Sequence, residues 1–116
     1  MGQTTHVIRM EADTEQEIHR FVPARVTARA GDILLFRVTS GAPHNVTFEA
    51  NGLSLATRQL LAGALPQRTS ELSGPVLPAN GLEYRIVVPA VPAGRYPFYS
   101  TPHRAYEMRG ELIVVP

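Results

Sequence analysis

Residues 31–39 read Gly-Asp-Ile-Leu-Leu-Phe-Arg-Val-Thr, and this stretch decides the fold class of the 116-residue chain. The opening Gly-Asp pair is typical of a tight turn. The residues that follow place Leu34, Phe36 and Val38 on one side, because the side chains of a β-strand point alternately to its two faces. The alternation therefore predicts a strand with one buried face.

The same alternation recurs along most of the chain. It places Ile8 with Met10, and Tyr96 with Phe98 and Ser100, on faces predicted to be buried. Turns containing glycine and proline separate the alternating segments, a pattern typical of an all-β Greek-key antiparallel β-sandwich. The seven predicted strands are 6–11, 24–30, 33–39, 43–49, 82–88, 95–100 and 111–115.

One stretch, residues 51–81, breaks the alternation. Its segment 55–62 is rich in helix-forming residues and is bounded by Ser54 and Gly63, so it predicts a short helix. Three prolines follow, which a central strand would not accept. We interpret 51–81 as a helix-and-loop insert on one side of the sandwich, and residues 1–116 as a single domain.

Composition excludes several classes of function. The chain has no cysteine, which excludes disulfides, thiolate nucleophiles and iron–sulfur clusters. Its net charge of +1 is too small for a nucleic-acid-binding surface. No stretch approaches the length of about 18 apolar residues that a membrane span needs. The first residues do not resemble a secretory signal peptide.

Two histidines occupy marked positions. His44 follows a Gly-Ala-Pro turn and shares its predicted face with Val46 and Phe48, whereas His103 follows Ser-Thr-Pro at a strand end, five residues before Met108. One interpretation is that both histidines are turn residues and that Met108 fills a gap in the core. The remaining two, His6 and His19, are predicted to be surface or sheet-edge residues and not ligands.

The order and spacing of several motifs resemble the cupredoxin family, to which plastocyanin- and azurin-like proteins belong. The first half carries Phe21-x-Pro23, then Ala-Gly-Asp-Ile-Leu-x-Phe at 30–36 and Pro-His-Asn-Val-x-Phe at 43–48. The second half carries Gly-Arg-Tyr-Pro-Phe-Tyr-Ser-Thr-Pro-His at 94–103 and Gly-Glu-Leu-Ile-Val at 110–114. Only the insert has no clear counterpart.

The resemblance implies a copper site with one decisive change. His44 and His103 match the two histidine ligands of the family and Met108 matches the axial methionine, but Ser100 stands where the family has its ligand cysteine. A serine hydroxyl cannot supply the soft, anionic thiolate of a blue copper site. With neutral ligands alone, any bound copper should favour the cuprous state. Glu107 is a nearby anionic candidate.

Three functions stay open at the level of sequence. The first is copper binding at a thiolate-free site, for carriage or storage. The second is a metal-free interaction or accessory domain, with a protein partner at an apolar end near Pro43, Pro102 and Tyr106. The third is blue-copper electron transfer, which requires that Ser100 replaces a native cysteine. The serine and histidine lack the motif surroundings of a hydrolase, so we expect no enzyme. The resemblance implies a periplasmic or extracellular location.

Overall fold

Two four-stranded β-sheets packed face to face form the body of the computed structural model, which describes residues 2–13 and 15–116. One α-helix, α1 (Leu55–Gly63), and a 3₁₀ helix, Thr101–Tyr106, lie outside the sheets. The described residues form eight strands: β1 (Thr5–Asp13), β2 (Ile18–Val22), β3 (Arg25–Ala28), β4 (Ile33–Val38), β5 (Thr47–Phe48), β6 (Glu83–Val87), β7 (Gly94–Tyr99) and β8 (Arg109–Val114).

The strand order is β2-β1-β4-β6 in the first sheet and β3-β8-β7-β5 in the second. This arrangement confirms the predicted all-β sandwich with one short helix. Each sheet also contains one parallel pair, β1 with β4 and β3 with β8, so the sheets are mixed and not wholly antiparallel. The parallel pair of the first sheet arises because the chain leaves that sheet after β2, forms β3 in the second, and returns beside β1.

The alternation that predicted the strands also describes the core. Leu34, Phe36 and Val38 are all buried, while the intervening Arg37 is exposed. At the centre of the core, the Phe98 ring meets those of Phe21 and Phe36 edge-on, at centroid distances of 4.8 and 5.4 Å. Edge-to-face aromatic pairs add to the stability that burial alone provides. This centre joins the two sheets below the end of the sandwich that carries His44 and His103.

The sequence pattern was wrong in two places. It did not predict β2, an edge strand in which Ile18 is exposed and Val22 only half-buried, so that no clear alternation marks it. It also predicted a strand over 43–49, whereas β5 contains only two residues. In this segment Asn45 and Thr47 are buried along with their neighbours. The insert covers the outer face of this segment, which would otherwise be exposed to solvent.

The insert forms the predicted helix and is anchored to the sandwich. Ser54 caps α1, since its hydroxyl accepts a hydrogen bond from the backbone N–H of Thr57 at 3.1 Å. The Tyr84 hydroxyl donates to the Pro66 carbonyl at 2.8 Å, and burial raises the pKa of this phenol to about 12. Further along the insert, Leu77 pairs with His44 through two backbone hydrogen bonds of 3.2 and 2.7 Å. The insert therefore covers one side of His44.

Candidate metal centre

The four residues predicted to form the site lie together at one end of the sandwich. The ring centroids of His44 and His103 are 4.9 Å apart, with ring planes inclined by 56°. Ser100 accepts the backbone N–H of His103 at 3.2 Å and donates its own N–H to the Met108 carbonyl at 3.1 Å. The segment 100–108, here called the site loop, thus folds Ser100, His103 and Met108 into one compact turn beside His44.

His44 is fully buried. Its Nε2 lies 2.7 Å from the Ser40 carbonyl oxygen, which can only accept a hydrogen bond, so the Nε2–H must be the donor. In the neutral ring this leaves the lone pair on Nδ1. That atom is buried and has no hydrogen-bond partner among the residues that the structure describes. A buried imidazole nitrogen with a free lone pair is a ready metal ligand.

The neutral state of His44 is favoured by its surroundings. Burial lowers the pKa of His44, and although the bond to the Ser40 carbonyl opposes this change, the neighbouring His103 and His19 rings lower it further. A metal ion binds only the deprotonated nitrogen of an imidazole. The environment therefore keeps His44 in the form that binds metal.

His103 repeats the same hydrogen-bond pattern from the opposite side. Its Nε2 donates to the Pro43 carbonyl at 2.8 Å, which again leaves the lone pair of the neutral ring on Nδ1. Unlike His44, this side chain is only half-buried. Pro43 directly precedes His44, so one short turn orients both imidazoles. Such outer hydrogen bonds determine which nitrogen of a ligand histidine is available.

Ser100, which the motif resemblance predicts to stand at the family's cysteine position, is fully buried. Its hydroxyl accepts a hydrogen bond from the backbone N–H of Asn45 at 3.3 Å. The Asn45 side chain in turn accepts the backbone N–H of Thr101 at 2.7 Å, which joins the His44 turn to the site loop. Ser100 is thus a neutral, hydrogen-bonded part of the loop framework. It provides no negative charge for a metal ion.

Met108, the third predicted ligand, is fully buried and belongs to the hydrophobic core. Two imidazoles with free lone pairs and a thioether suit a cuprous ion, which accepts few and soft ligands. They suit a cupric ion less well, because two uncompensated positive charges would be desolvated in a neutral pocket. The residues present therefore fit copper in its reduced state.

The comparison with protein families identifies the family of this chain. Residues 8–115 match the family described as copper binding proteins, plastocyanin/azurin family. The chain belongs to this family. The resemblance inferred from the motifs is therefore confirmed, and copper is the metal that the family description names.

Individual relatives give the same result. Over 94 residues, which are 81% of this chain, it is 31% identical to a chloroplastic plastocyanin of Pisum sativum and 30% identical to a plastocyanin of Rumex obtusifolius. The chain spans about half (51%) of the Pisum protein and 86% of the Rumex protein. The oxidized plastocyanin of Dryopteris crassirhizoma has the same fold, with a TM-score of 0.72 at 23% identity, covering 95% of this chain and all of that one.

Glu107 and the predicted apolar end lie at the rim of the candidate site. Glu107 is exposed and ends the 3₁₀ helix in the left-handed conformation, with φ of 57°. In the described parts of the chain its carboxylate makes no hydrogen bond to His44 or His103, so its role as an accessory ligand stays a prediction. Pro43, Pro102 and Tyr106 are exposed around the two histidines.

One residue that lies beside the candidate site was not predicted to do so from the sequence. His19, on the edge strand β2, stacks on His103 with ring centroids 3.9 Å apart and planes inclined by only 12°. Burial lowers the pKa of His19, and the neighbouring His103 adds to the effect. No local signal could identify this contact, because β2 and the site loop belong to different sheets and are more than 80 positions apart.

Two further features of the described residues concern metal binding and membranes. Within residues 2–13 and 15–116, no three His, Asp or Glu side chains form a group that could hold a metal ion. The candidate centre thus depends on the thioether of Met108 as well as on imidazoles. In the same ranges, none of the helices has the length and apolar character needed to cross a bilayer.

Proposed function

We propose that this chain binds one cuprous ion through Nδ1 of His44, Nδ1 of His103 and the thioether of Met108, and that it carries or stores the metal. The observation that supports the proposal most directly is the hydrogen bonding of the two histidines. Each donates through Nε2 to a backbone carbonyl, at 2.7 and 2.8 Å, so that both neutral rings keep a lone pair on Nδ1. A cuprous ion would carry a single positive charge into the site and would accept lone pairs from the two imidazoles and the thioether.

Carriage or storage accounts for the absence of a thiolate better than electron transfer does. The thiolate of a blue copper site provides both negative charge and the electronic coupling to the metal. Ser100 provides neither, whereas binding and release of a cuprous ion require only the neutral donors. Catalysis is not part of the proposal, because the site holds no base positioned against a nucleophile. Electron transfer becomes the function only if a cysteine is native at position 100.

Competition titration under anaerobic conditions tests the proposal. Cuprous ion is titrated into the protein in the presence of a coloured cuprous chelator, and cupric ion is titrated separately. We expect tight cuprous binding of one equivalent and weaker cupric binding. His44→Ala and His103→Ala should each weaken cuprous binding by more than ~100-fold, a larger loss than removal of an outer hydrogen-bonding partner causes.

The matched control is His6→Ala, at the other end of the sandwich, which should change the affinity less than about twofold. Equal affinities for the wild type, His44→Ala and His103→Ala would contradict the proposal. In that case the exposed apolar end becomes the main candidate for function.

A metal-free interaction role is the second candidate, and one observation favours it. Pro43, Pro102 and Tyr106 are exposed together around the two histidines, and the side chain of Tyr106 is 48% exposed. Apolar residues grouped at the surface are typical of a protein contact. For a copper carrier, the same surface would receive the protein that delivers or accepts the ion. We propose a periplasmic or extracellular location for this exchange, which fractionation of the source cells would test.

A further inference from the structure

Four aromatic side chains form a continuous row across the end of the sandwich. His44 lies 4.9 Å from His103, His103 lies 3.9 Å from His19, and His19 lies 4.7 Å from Tyr106, all between ring centroids. Only the His103–His19 contact is a face-to-face stack, with planes inclined by 12°. The other two contacts are tilted, by 56° and 44°. His19 therefore packs flat against one candidate ligand.

The two candidate ligands differ in how firmly the rest of the protein holds them. His44 is fully buried and is fixed by the Ser40 carbonyl and by backbone pairing with Leu77. His103 is half-buried in the site loop, where its backbone leaves the helical conformation, with φ of −120° and ψ of 23°. Its ring has one hydrogen bond, to the Pro43 carbonyl. A single hydrogen bond at Nε2 does not by itself fix the rotation of the ring about its Cβ–Cγ bond.

The geometry of the stack excludes His19 as a further ligand of the same ion. An imidazole lone pair lies in the plane of its ring. Because the two rings are stacked, with centroids 3.9 Å apart and planes only 12° from parallel, the planes do not meet near either ring, and one ion cannot lie in both. In agreement, no three imidazole or carboxylate groups within residues 2–13 and 15–116 are arranged to hold a metal. The stack must act on the His103 ring and not on the metal.

We propose that His19 is a positioning residue, which fixes the plane of the His103 ring before copper binds. The hydrogen bond to Pro43 determines which nitrogen of His103 is free, and the stack on His19 determines the plane in which that nitrogen points. Because His19 belongs to β2, the first sheet directly orients a ligand on a loop of the second. A ligand held in its bound orientation loses less conformational entropy on binding.

The proposal depends on the proposed copper-binding function for one point only, which is the purpose of orienting the His103 ring. The orientation itself is a property of the metal-free protein and can be measured there. Because a stack needs a flat ring and not a nitrogen, phenylalanine at position 19 should replace histidine, whereas leucine should not. The interaction free energy of one aromatic pair corresponds to an affinity change of about 2- to 12-fold.

The test compares His19→Phe, His19→Leu and the matched control His6→Leu, each checked for folding by far-UV circular dichroism. In the metal-free proteins, aromatic NMR reports the ring-proton shifts and line widths of His103. We expect His19→Leu to shift and broaden these signals, while His19→Phe keeps them narrow and displaced by a ring current. His6→Leu should leave them unchanged. In cuprous titrations, His19→Leu should weaken binding by about 2- to 12-fold, and His19→Phe should stay within twofold of the wild type.

Two results would overturn the positioning role. One is a His19→Leu protein whose His103 signals match the wild type. The other is a His19→Phe protein that loses as much ring order and affinity as His19→Leu, since this would mean that a nitrogen of His19 is needed. If the wild type binds no cuprous ion, the proposed function fails, while the NMR comparison still decides whether His19 orients His103.

Discussion

Strand β1 carries His6 near its start, and near its end Ala12 bonds to Ser40, the residue that holds His44; the two histidines have opposite kinds of hydrogen-bond partner. At the start of β1, His6 Nε2 lies 3.0 Å from a carboxylate oxygen of Asp32. At the other end, His44 donates instead to the Ser40 carbonyl, and among the described residues its buried Nδ1 has no hydrogen-bond partner. The partner of His6 is a charged carboxylate, whereas the partner of His44 is an uncharged carbonyl group that orients a neutral ring. The first arrangement joins β1 to the turn that contains Asp32, and the second leaves the lone pair of His44 Nδ1 available.

The two ends also differ in charge, since a carboxylate lies at one end and a neutral imidazole at the other. Asp32 also accepts the backbone N–H groups of Thr4 and Arg29, both at 3.1 Å. The hydrogen bond with His6, followed by these two, lowers the pKa of the Asp32 carboxyl to about 2. At the other end, burial lowers the pKa of His44 and keeps it uncharged. One end is thus built around charge, and the other excludes it.

The largest expected effect comes from adding charge to the neutral end. Ser100→Cys places a thiol where the buried hydroxyl now accepts the Asn45 N–H. A thiolate beside two imidazoles and a thioether is the donor set of a blue copper site. With cupric ion we expect the wild type to stay colourless and the variant to become intensely blue, as measured by visible absorption. A colourless variant would mean that the shape of the site loop, and not Ser100 alone, prevents a blue site.

A smaller effect should distinguish the turns at the two ends. Gly41, in the turn before His44, has φ of +71°, and a Cβ added there would overlap the Cβ of Ala12. Gly31, next to Asp32, has φ of +92° but open space around it. Gly31→Ala should lower the free energy of unfolding by about 1–2 kcal/mol through backbone strain. Gly41→Ala should lower it by about 1–3 kcal/mol more, because of the added overlap.

Chemical denaturation of the metal-free proteins measures both losses. Gly41→Ala should also weaken cuprous binding, since this turn carries the Pro43 carbonyl and His44. Equal losses of stability in the two variants would show that the turn before His44 accommodates the extra methyl group.

The smallest effect concerns pH at the charged end. The folded state lowers the pKa of Asp32 from its ordinary 3.8 to about 2, so folding favours the carboxylate. The resulting stabilisation is present above pH 3.8 and is lost as the pH falls towards 2. In Asp32→Asn this dependence should be absent. The difference in urea midpoint between wild type and variant should therefore shrink over that window, and a constant difference would contradict the assignment.

Much of the site could be predicted because its residues follow local patterns. His44, Ser100, His103 and Met108 lie in motifs whose order along the chain is enough to bring them to one end of a sandwich. His19 could not be found in this way. Its strand shows little alternation, because an edge strand with Ile18 exposed and Val22 half-buried has no uniform inner face. Its partner His103 lies in the site loop that connects two strands of the other sheet, and no local pattern encodes such a contact.

The sequence alone determined the properties that depend on residue type and local period. These are the inward faces of most strands, the capped helix α1, and the neutral character of the predicted donors, which follows from serine at position 100. Only the tertiary structure decided which nitrogen of each imidazole is free. His103 receives its orientation from the carbonyl of Pro43, 60 positions away, and from a ring on another sheet. A hydrogen-bond partner or a stacked ring is chosen by position in space, and the two sheets define that position only when they pack together.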